Sequence, residues 1–185
     1  MNAHPYLDAL TRLRYGLATF GYRVIPVDGK RARGNNWQKA KWAPEQMAGL
    51  TRNNEGAKNT GILTGDVVAI DVDTPDPDVA AAITAMVAEL PTFRSAPYRI
   101  GKAPKCCYLF RAAEPRRRVA SGKYLINGHA CQVEVLGIGQ QFVAYGTHPE
   151  TLQPYEWFNG SPAETPLADL PLIEVADIDA LLQRV

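Results

Sequence analysis

Residues 67–73 read VVAIDVD, an apolar run whose last four residues alternate between apolar and acidic side chains. In a β-strand, residues two apart share one face of the sheet. We therefore expect Ile70 and Val72 to face the core, with Asp71 and Asp73 side by side on the other face, roughly 6.5–7 Å apart. The stretch predicts a sheet that carries an acidic pair.

The acidic pair allows two interpretations. Adjacent carboxylates repel one another, and burying them without partners is costly, so a hard divalent cation bound by their oxygens is the usual remedy. The structural alternative is a strand that runs into a turn, because residues 73–77 read DTPDP and have turn chemistry. The stretch alone leaves both interpretations open.

Composition indicates a globular protein. The chain has 185 residues, 46% hydrophobic and 21% charged, enough for one domain or two tightly packed lobes. No apolar stretch approaches a membrane span and no signal-peptide core is present, so we expect no membrane partner. Three cysteines without a CxxC motif indicate a reducing, cytoplasmic location. A zinc site from Cys107, Cys131 and His129 is an alternative to buried core thiols.

The net charge of +1 hides a segregation of charge along the chain. Residues 23–41 carry six basic side chains against one acid, residues 94–123 carry nine against one, and residues 66–89 carry six acids and no base. Two basic blocks around an acidic one suit a phosphate-bearing polymer that approaches a bound metal. Solvated surface loops are the alternative.

Periodicity and breaker residues predict an α+β fold with strands in the middle of the chain. We expect loops over residues 30–42 and 98–105, and we expect strand 141–145 to pair with strand 132–136. The predicted helices cover residues 5–20, 44–50, 77–90 and 177–185, and the predicted strands cover residues 22–27, 59–64, 67–72, 93–95, 106–111, 132–136, 141–145 and 155–158.

A third carboxylate, Glu134, stands inside the apolar strand of residues 132–136. A charged residue in the middle of a strand either faces solvent or serves a site. Together with Asp71 and Asp73 it forms a three-carboxylate set, the usual inventory of a two-metal centre that activates an attacking oxygen and stabilises a leaving one.

Such a reaction needs cations for a triphosphate. Lys102 and Lys105, in a segment rich in Gly and Pro, are candidates for this role. His148, after the strand of residues 141–145, is a candidate for contact with phosphate or with a nucleotide hydroxyl. A histidine that caps a turn is the alternative for His148.

An ordered set of motifs accompanies these residues: GYRVIPV at 21–27, NTGILTG at 59–65, AIDVD at 69–73, VEV at 133–135, FVAYGTHP at 142–149 and YEW at 155–157. With this set, residues 6–158 resemble the N-terminal primase/polymerase domain of phage and plasmid replication proteins, in the archaeo-eukaryotic primase superfamily.

The resemblance implies an α/β lobe packed on an RRM-like lobe, with the active site in the cleft and residues 1–185 as one catalytic domain. It implies Mg²⁺ or Mn²⁺ in a two-metal site of Asp71, Asp73 and Glu134. The implied reaction is template-directed transfer of a nucleotide from a nucleoside triphosphate to a 3′-hydroxyl on single-stranded or primed DNA. It also implies a fused or separate helicase, and a chain that is either an excised N-terminal part or a stand-alone form.

The sequence departs from the family in its second motif, where a phosphate-contacting His is expected at or near Cys107. Lys105 or Lys102 would have to replace that His. The resemblance also makes some of the aromatic residues, Trp37, Trp42, Tyr98 or Tyr124, candidates for base stacking, with core packing as the alternative for each. It implies a nucleic-acid-binding set of Arg99, Arg116, Arg117, Arg118 and Lys39.

Two other functions compete with a polymerase. The missing His favours a degenerate primase-like module that binds nucleic acid or nucleotide without polymerising. The residues DVDT at 71–74 also fit the DxDxT motif of haloacid-dehalogenase-type phosphatases, in which the first Asp is a nucleophile.

Overall fold

The structure, a computed structural model, describes residues 5–185, with side chains from residue 9 onward; residues 1–4 of the predicted domain lie outside the described residues. The predicted mixture of helices and strands is confirmed. The helices are α1 (Pro5–Thr19), α2 (Met47–Asn53), α3 (Pro77–Val87) and α4 (Val175–Arg184). The strands are β1 (Val24–Asp28), β2 (Arg31–Ala32), β3 (Asn59–Leu63), β4 (Val67–Asp73), β5 (Tyr98–Lys102), β6 (Lys105–Ala112), β7 (Val119–Ala120), β8 (Tyr124–Ile126), β9 (His129–Leu136), β10 (Gln141–Tyr145), β11 (Glu156–Phe158) and β12 (Leu172–Ile173).

The strands form two sheets. The smaller sheet has the order β10-β3-β1-β2, and the larger has the order β11-β5-β6-β4-β9-β7, with β12 beside β6 and β8 beside β9. The pairs are antiparallel except for the short pair of β12 with β6. Strand β4 lies at the centre of the larger sheet, so both of its edges are hydrogen-bonded to neighbours.

Alternation along β4 supplies two different cores. Ile70 and Val72 are fully buried and pack with residues of α3 and α4, as the sequence predicts. Val67 and Ala69 point to the opposite face and pack with the smaller sheet and with α1. Burial of each large apolar side chain stabilises the fold by about 1.5–3 kcal/mol. Asp71 and Asp73 continue the face that meets the smaller sheet.

The turn that follows β4 has the structural role expected of its sequence. The side chain of Asp76 accepts hydrogen bonds from the backbone N–H groups of Asp78 and Val79, both at 3.0 Å, and caps α3. Pro77 occupies the first turn of that helix, where its missing N–H is harmless. The capping role falls on Asp76, which leaves Asp71 and Asp73 without a role in the turn.

Several local predictions are wrong. Residues 93–95 form a 3₁₀-helix instead of a strand. Residues 98–105 are a hairpin instead of a loop, because β5 hydrogen-bonds to β6 and presents Tyr98 and Ile100 to the core. Residues 30–42 contain β2 and the 3₁₀-helix Trp37–Lys39. Short strands β7, β8 and β12 carry too little pattern to be predicted.

Strand β10 pairs with β3 in the smaller sheet, which corrects the predicted pairing with the strand of residues 132–136. After β9 the chain turns at Gly139, whose φ of 82° is left-handed, and crosses from one sheet to the other. Phe142 and Ala144 then pack into the core shared by the two sheets. The crossing brings the segment after β10 close to the acidic face of β4.

Asn59 fixes the position of that segment. Its side-chain N–H₂ group donates to the backbone carbonyl oxygens of Gly29 and Thr147, and its side-chain oxygen Oδ1 accepts a hydrogen bond from the backbone N–H of Thr147. Gly146 has a φ of 117°, and a Cβ there would lie 2.0 Å from the Asn59 side chain. The turn after β10 is therefore held against the tip of the β1–β2 hairpin.

Within residues 5–185, none of the helices combines the length and the apolar character needed to cross a membrane.

Arg14 is a fully buried charged residue that joins α1 to the smaller sheet. Its guanidinium donates to the hydroxyls of Thr60 and Thr51, and to the carbonyl oxygens of Ala57 and Asn59 at 2.9 and 3.0 Å. Five donors in a fixed fork suit such a cluster of acceptors.

Replacement of Arg14 by Met should lower the free energy of unfolding by roughly 3 kcal/mol, because the buried carbonyl oxygens lose their partners. Urea denaturation measures this change. Arg52→Met, which alters an exposed arginine of α2, is the control and should change stability by less than about 0.5 kcal/mol. Equal stability of the two variants would contradict a structural role for Arg14.

Candidate active site

The register of the larger sheet aligns four side chains in one row. Arg99 on β5 lies opposite Cys107 on β6, Cys107 lies opposite Asp71 on β4, and Asp71 lies opposite Glu134 on β9. Residues directly opposite in antiparallel strands project to the same face, with Cβ atoms roughly 4.5–5.5 Å apart. Since Asp73 lies two residues beyond Asp71, the three predicted carboxylates share one face of the sheet.

Burial and mutual repulsion disfavour the charged form of Asp71. Its removal from water raises the pKa to about 6, and the neighbouring charges of Asp73 and Glu134 act in the same direction. Arg99 and Lys30 oppose this effect and lower the pKa, but they do not cancel it. Asp71 is therefore the carboxylate in greatest need of a further positive charge.

Two cations hold the other carboxylates. Lys105 Nζ lies 2.6 Å from Asp73 Oδ1, and the Arg118 guanidinium pairs with Glu134. Among the residues that the structure describes, no three His, Cys, Asp or Glu side chains are grouped closely enough to hold a metal ion. The three carboxylates fit Mg²⁺ or Mn²⁺, which prefer carboxylate oxygens as ligands. Lys105 and Arg118 supply positive charge next to two of these carboxylates, as a bound metal ion would.

A cavity of about 180 Å³, here called the cleft, opens beside Asp71 and Asp73. It is bounded by the acidic face of the larger sheet and by residues 141–143 of β10, so it lies between the two sheets. Its remaining charged and polar lining comes from Lys30, Arg99, Lys102, Lys105, His148, Glu150 and Tyr155. A cavity with acids at its floor and four cations in its walls can hold a polyanion together with divalent cations.

Arg99 is a cation of the cleft that packs against two aromatic rings. Its guanidinium carbon lies 4.5 Å from the ring centre of Tyr155 and 5.6 Å from that of Phe142. Its Nε atom is buried and has no hydrogen-bond partner among the described residues. Gly101 permits this packing, since a Cβ there would lie 2.4 Å from the Tyr155 ring. Arg99 therefore belongs to the cleft and brings positive charge to it.

His148 has a structural role and also lines the cleft. The ring is buried, and its Nδ1 accepts the backbone N–H groups of Glu150 at 3.3 Å and Thr151 at 3.4 Å. Burial, followed by the charge of Lys30, lowers its pKa, which favours the neutral ring. With Nδ1 as acceptor, the neutral ring carries its proton on Nε2.

The two predicted lysines lie opposite each other at the end of the β5–β6 hairpin. Lys102 Nζ lies 2.6 Å from Glu150 Oε2, whereas Lys105 pairs with Asp73. Both line the cleft. Lys30 and Glu150 line it as well, but sequence reasoning placed Lys30 only in a general basic block and did not identify Glu150. The DG turn before Lys30 was the one signal that put it at a hairpin tip.

Cys107 occupies the row between Arg99 and Asp71 as a buried thiol. Burial raises its pKa, so the thiol stays neutral at the place where the resemblance implies a His. Cys131 packs on the other face of the sheet, the face of Val133 and Val135 on the same strand. The alternative zinc site is therefore wrong, because Cys107 and Cys131 project from opposite faces.

The predicted nucleic-acid-binding residues do not form one patch. Arg99 lies in the cleft and Arg118 pairs with Glu134 beside it. Arg116 Nη1 lies 2.7 Å from Asp179 Oδ1 on α4, and Arg117 is exposed next to it. Lys39 lies in a separate groove beyond the β1–β2 hairpin.

Residues 14–173 match the Prim-Pol family, described as bifunctional DNA primase/polymerase, N-terminal. The chain belongs to the Prim-Pol family. The resemblance drawn from its motifs is thereby confirmed, and no curated protein matches the chain. Membership implies a nucleotidyltransferase type of enzyme that acts on DNA and nucleotides, in a family that typically uses divalent metals. The DxDxT phosphatase alternative loses its support, since Asp71 lies within an antiparallel sheet of a Prim-Pol chain.

The raised pKa of Asp71 makes stability depend on pH in metal-free buffer. The folded-state pKa of Asp71 lies above the ordinary value of 3.8. Protonation of Asp71 therefore contributes to stability below about pH 4, and this contribution to the free energy of unfolding is lost as the pH rises through about 6. Asp71→Asn should therefore stabilise the protein by up to about 3 kcal/mol at pH 8, at about 1.4 kcal/mol per pKa unit, and by much less at pH 4.

Urea denaturation in the presence of a chelator, at both pH values, measures this difference. The control is Asp66→Asn, which alters an exposed carboxylate at the start of β4 and should leave stability unchanged at either pH. A loss of stability in Asp71→Asn at pH 8 would contradict the assignment of Asp71 as a destabilising buried charge.

Proposed function

We propose that this protein is a DNA primase/polymerase that transfers nucleotides to a 3′-hydroxyl in a template-directed, metal-dependent reaction. The observation that carries the proposal is the shared face of Asp71, Asp73 and Glu134 in a Prim-Pol chain. Asp71 and Asp73 line a cleft together with four cations, and Glu134 lies opposite Asp71 outside that lining. The proposed partners are single-stranded or primed DNA and nucleoside triphosphates, with a fused or separate helicase as a further partner. The two sheets with their helices are the proposed lobes.

Asp71, Asp73 and Glu134 are the residues that would hold Mg²⁺ or Mn²⁺. When bound, such ions lower the pKa of the attacking hydroxyl and neutralise charge on the triphosphate. Lys105 and Arg118 form ion pairs with Asp73 and Glu134, which reduces the repulsion on the acidic face. Asp71 has no such ion pair at hydrogen-bond distance among the described residues, so it is the proposed first ligand.

The cationic wall of the cleft is proposed to bind the triphosphate. Arg99 supplies a charge that is packed against two aromatic rings, and Lys30, Lys102 and Lys105 add charge around it. Arg99 lies next to Cys107 in the row across the sheet, so it supplies positive charge beside the neutral thiol. His148, as a neutral ring with a proton on Nε2, suits a hydrogen bond to a sugar hydroxyl better than an ionic contact to phosphate.

Primer extension on a primed single-stranded DNA template, with dNTPs and Mg²⁺ or Mn²⁺, tests the proposal. Asp71→Ala and Glu134→Ala should each reduce extension by at least about a hundredfold, because each removes a carboxylate that would hold the divalent cations. Glu55→Ala, an exposed acid outside the cleft, is the control and should extend as the unaltered protein does.

Omission of the primer, in the presence of the same template, then tests synthesis from the first nucleotide. Extension that survives in Asp71→Ala would overturn the assignment of the acidic face as the reaction centre. Extension that is absent from the unaltered protein with either metal would overturn the polymerase proposal itself.

Arg99 and Arg117 should have separable effects. Arg99→Gln should raise the KM for dNTPs roughly tenfold or more, since it removes a charged donor from the cleft, while the affinity for template changes little. Arg117→Gln should weaken template binding and reduce its salt dependence by about one phosphate contact, with the KM for dNTPs unchanged. Steady-state kinetics and anisotropy titrations over a salt series measure these effects. Identical behaviour of the two variants would contradict the division of roles.

A degenerate binding module is the second candidate. It is favoured by the buried thiol of Cys107 in place of a His and by the ion pairs that occupy Asp73 and Glu134. In that case the unaltered protein would bind DNA or dNTPs without extending a primer, and Glu134→Ala would leave that binding largely intact. Extension by the unaltered protein excludes this candidate.

A further inference from the structure

A second and larger concave surface lies outside the cleft. This groove, here called the outer groove, has a volume of about 680 Å³ and is formed by β1, by the segment after β2 and by α2. It shares no lining residue with the cleft. Its wall includes both tryptophans of the N-terminal half, Trp37 and Trp42, together with Arg33, Lys39, Asn35 and Asn53.

The composition of the outer groove matches an unpaired nucleic-acid strand. Trp42 is 41% exposed and Trp37 is partly buried, so both offer indole surface on which a base can stack. Lys39 supplies charge for the phosphates, Arg33 adds a cation that also pairs with Asp28, and amide side chains supply donors and acceptors for base edges. Residues 29–54 carry six basic side chains and a single acid, Glu45. Of these charged residues Arg33, Lys39 and Glu45 line the outer groove, so its wall has a net positive charge that suits a polyanion.

Arg23 holds one wall of the outer groove in place. Arg23 donates from Nε and Nη2 to the carbonyl oxygen of Ala40, at 3.1 and 3.0 Å, and from Nη2 to that of Gln38 at 3.2 Å. Arg23 is therefore committed to holding the segment that carries Trp37 and Lys39. One side of Trp37 packs on the core that contains Ile25. These contacts fix the backbone that carries Trp37 and Lys39 in the wall of the outer groove.

The outer groove and the cleft lie on the two sides of one hairpin. Lys30, at the tip of the β1–β2 hairpin, lines the cleft, whereas Arg33, immediately after β2, lines the outer groove. Three residues of extended chain span roughly 10 Å, so one strand can pass Lys30 and Arg33 in succession. A strand that leaves the cleft over the hairpin tip therefore meets positive charge on both sides.

We propose that the outer groove is a second binding site for single-stranded DNA, in which the unpaired template outside the cleft stacks on Trp42 and Trp37. That the bound strand is a template rests on the proposed function. Binding itself does not, because the outer groove contains none of the proposed metal ligands.

Binding is measured by quenching of tryptophan fluorescence and by anisotropy of labelled oligothymidylate, without metal or dNTPs. Trp42→Ala should weaken binding roughly tenfold, because one stacked base is lost, and Trp42→Phe should restore most of it. Lys39→Ala should reduce the slope of affinity against salt by about one phosphate contact. Tyr15→Ala, which alters a 48% exposed aromatic residue of α1, is the matched control and should bind as the unaltered protein does.

Two further arms separate this proposal from the polymerase proposal. In Asp71→Ala/Asp73→Ala, oligothymidylate binding should persist with the same dependence on Trp42. A duplex of the same length should bind more weakly than the single strand, because its bases cannot stack on the indoles. If extension fails but Trp42-dependent binding is found, the polymerase proposal falls and the outer groove stands.

Other results overturn the outer groove. Unchanged affinity of Trp42→Ala and of Lys39→Ala, with folding confirmed by circular dichroism, would show that the strand binds elsewhere. Equal affinity for duplex and single strand would show a general basic surface without base stacking. If primer extension remains normal while either of these results is found, the outer groove is overturned and the polymerase proposal stands.

Discussion

Carboxylates repel one another, and β4 and β9 place three of them on one face of a sheet that is packed on both sides. The register opposes Asp71 to Glu134, while Asp73 follows on the same face. Burial raises the pKa of Asp71 to about 6, so the repulsion is not relieved by solvent. The surrounding cations are arranged in response: Lys105 and Arg118 each neutralise one acid, and Arg99 lies in the same row as Asp71.

This arrangement connects stability to function. An apolar residue at position 71 would suit the packing of β4 better, since Ala69 and Val67 on the same face are buried in the core. Retention of a carboxylate there places a destabilised acid at the floor of a cavity that also holds positive charge. Strain of this kind is typical of sites where charge is used, and a bound divalent cation would relieve it.

The positions of the cleft and of the outer groove both depend on how the smaller sheet is tied to the larger. Asn59 bridges the β1–β2 hairpin to the turn after β10, which sets Lys30 and His148 beside Asp71. The same hairpin forms one boundary of the outer groove. Because one hairpin borders both surfaces, its position relative to β4 also sets where the outer groove lies relative to the acidic face.

The sequence by itself determined the elements with strong local patterns. Alternation in residues 67–73 predicted the strand, its buried face and its acidic face, because side-chain direction in a strand depends only on parity. The ordered motifs predicted the Prim-Pol family, which the match over residues 14–173 confirms. Capping and breaker residues predicted helices α3 and α4 to within a few residues.

Only the tertiary structure decided which strands pair and which groups the charged side chains contact. The pairing of β10 with β3 depends on packing between distant segments, so proximity in sequence to β9 was misleading. Whether Arg99 is a surface residue or part of the cleft depends on the Tyr155 and Phe142 rings that flank it. Parity gives the face of a side chain, but its partners come from register and packing, which local sequence does not contain.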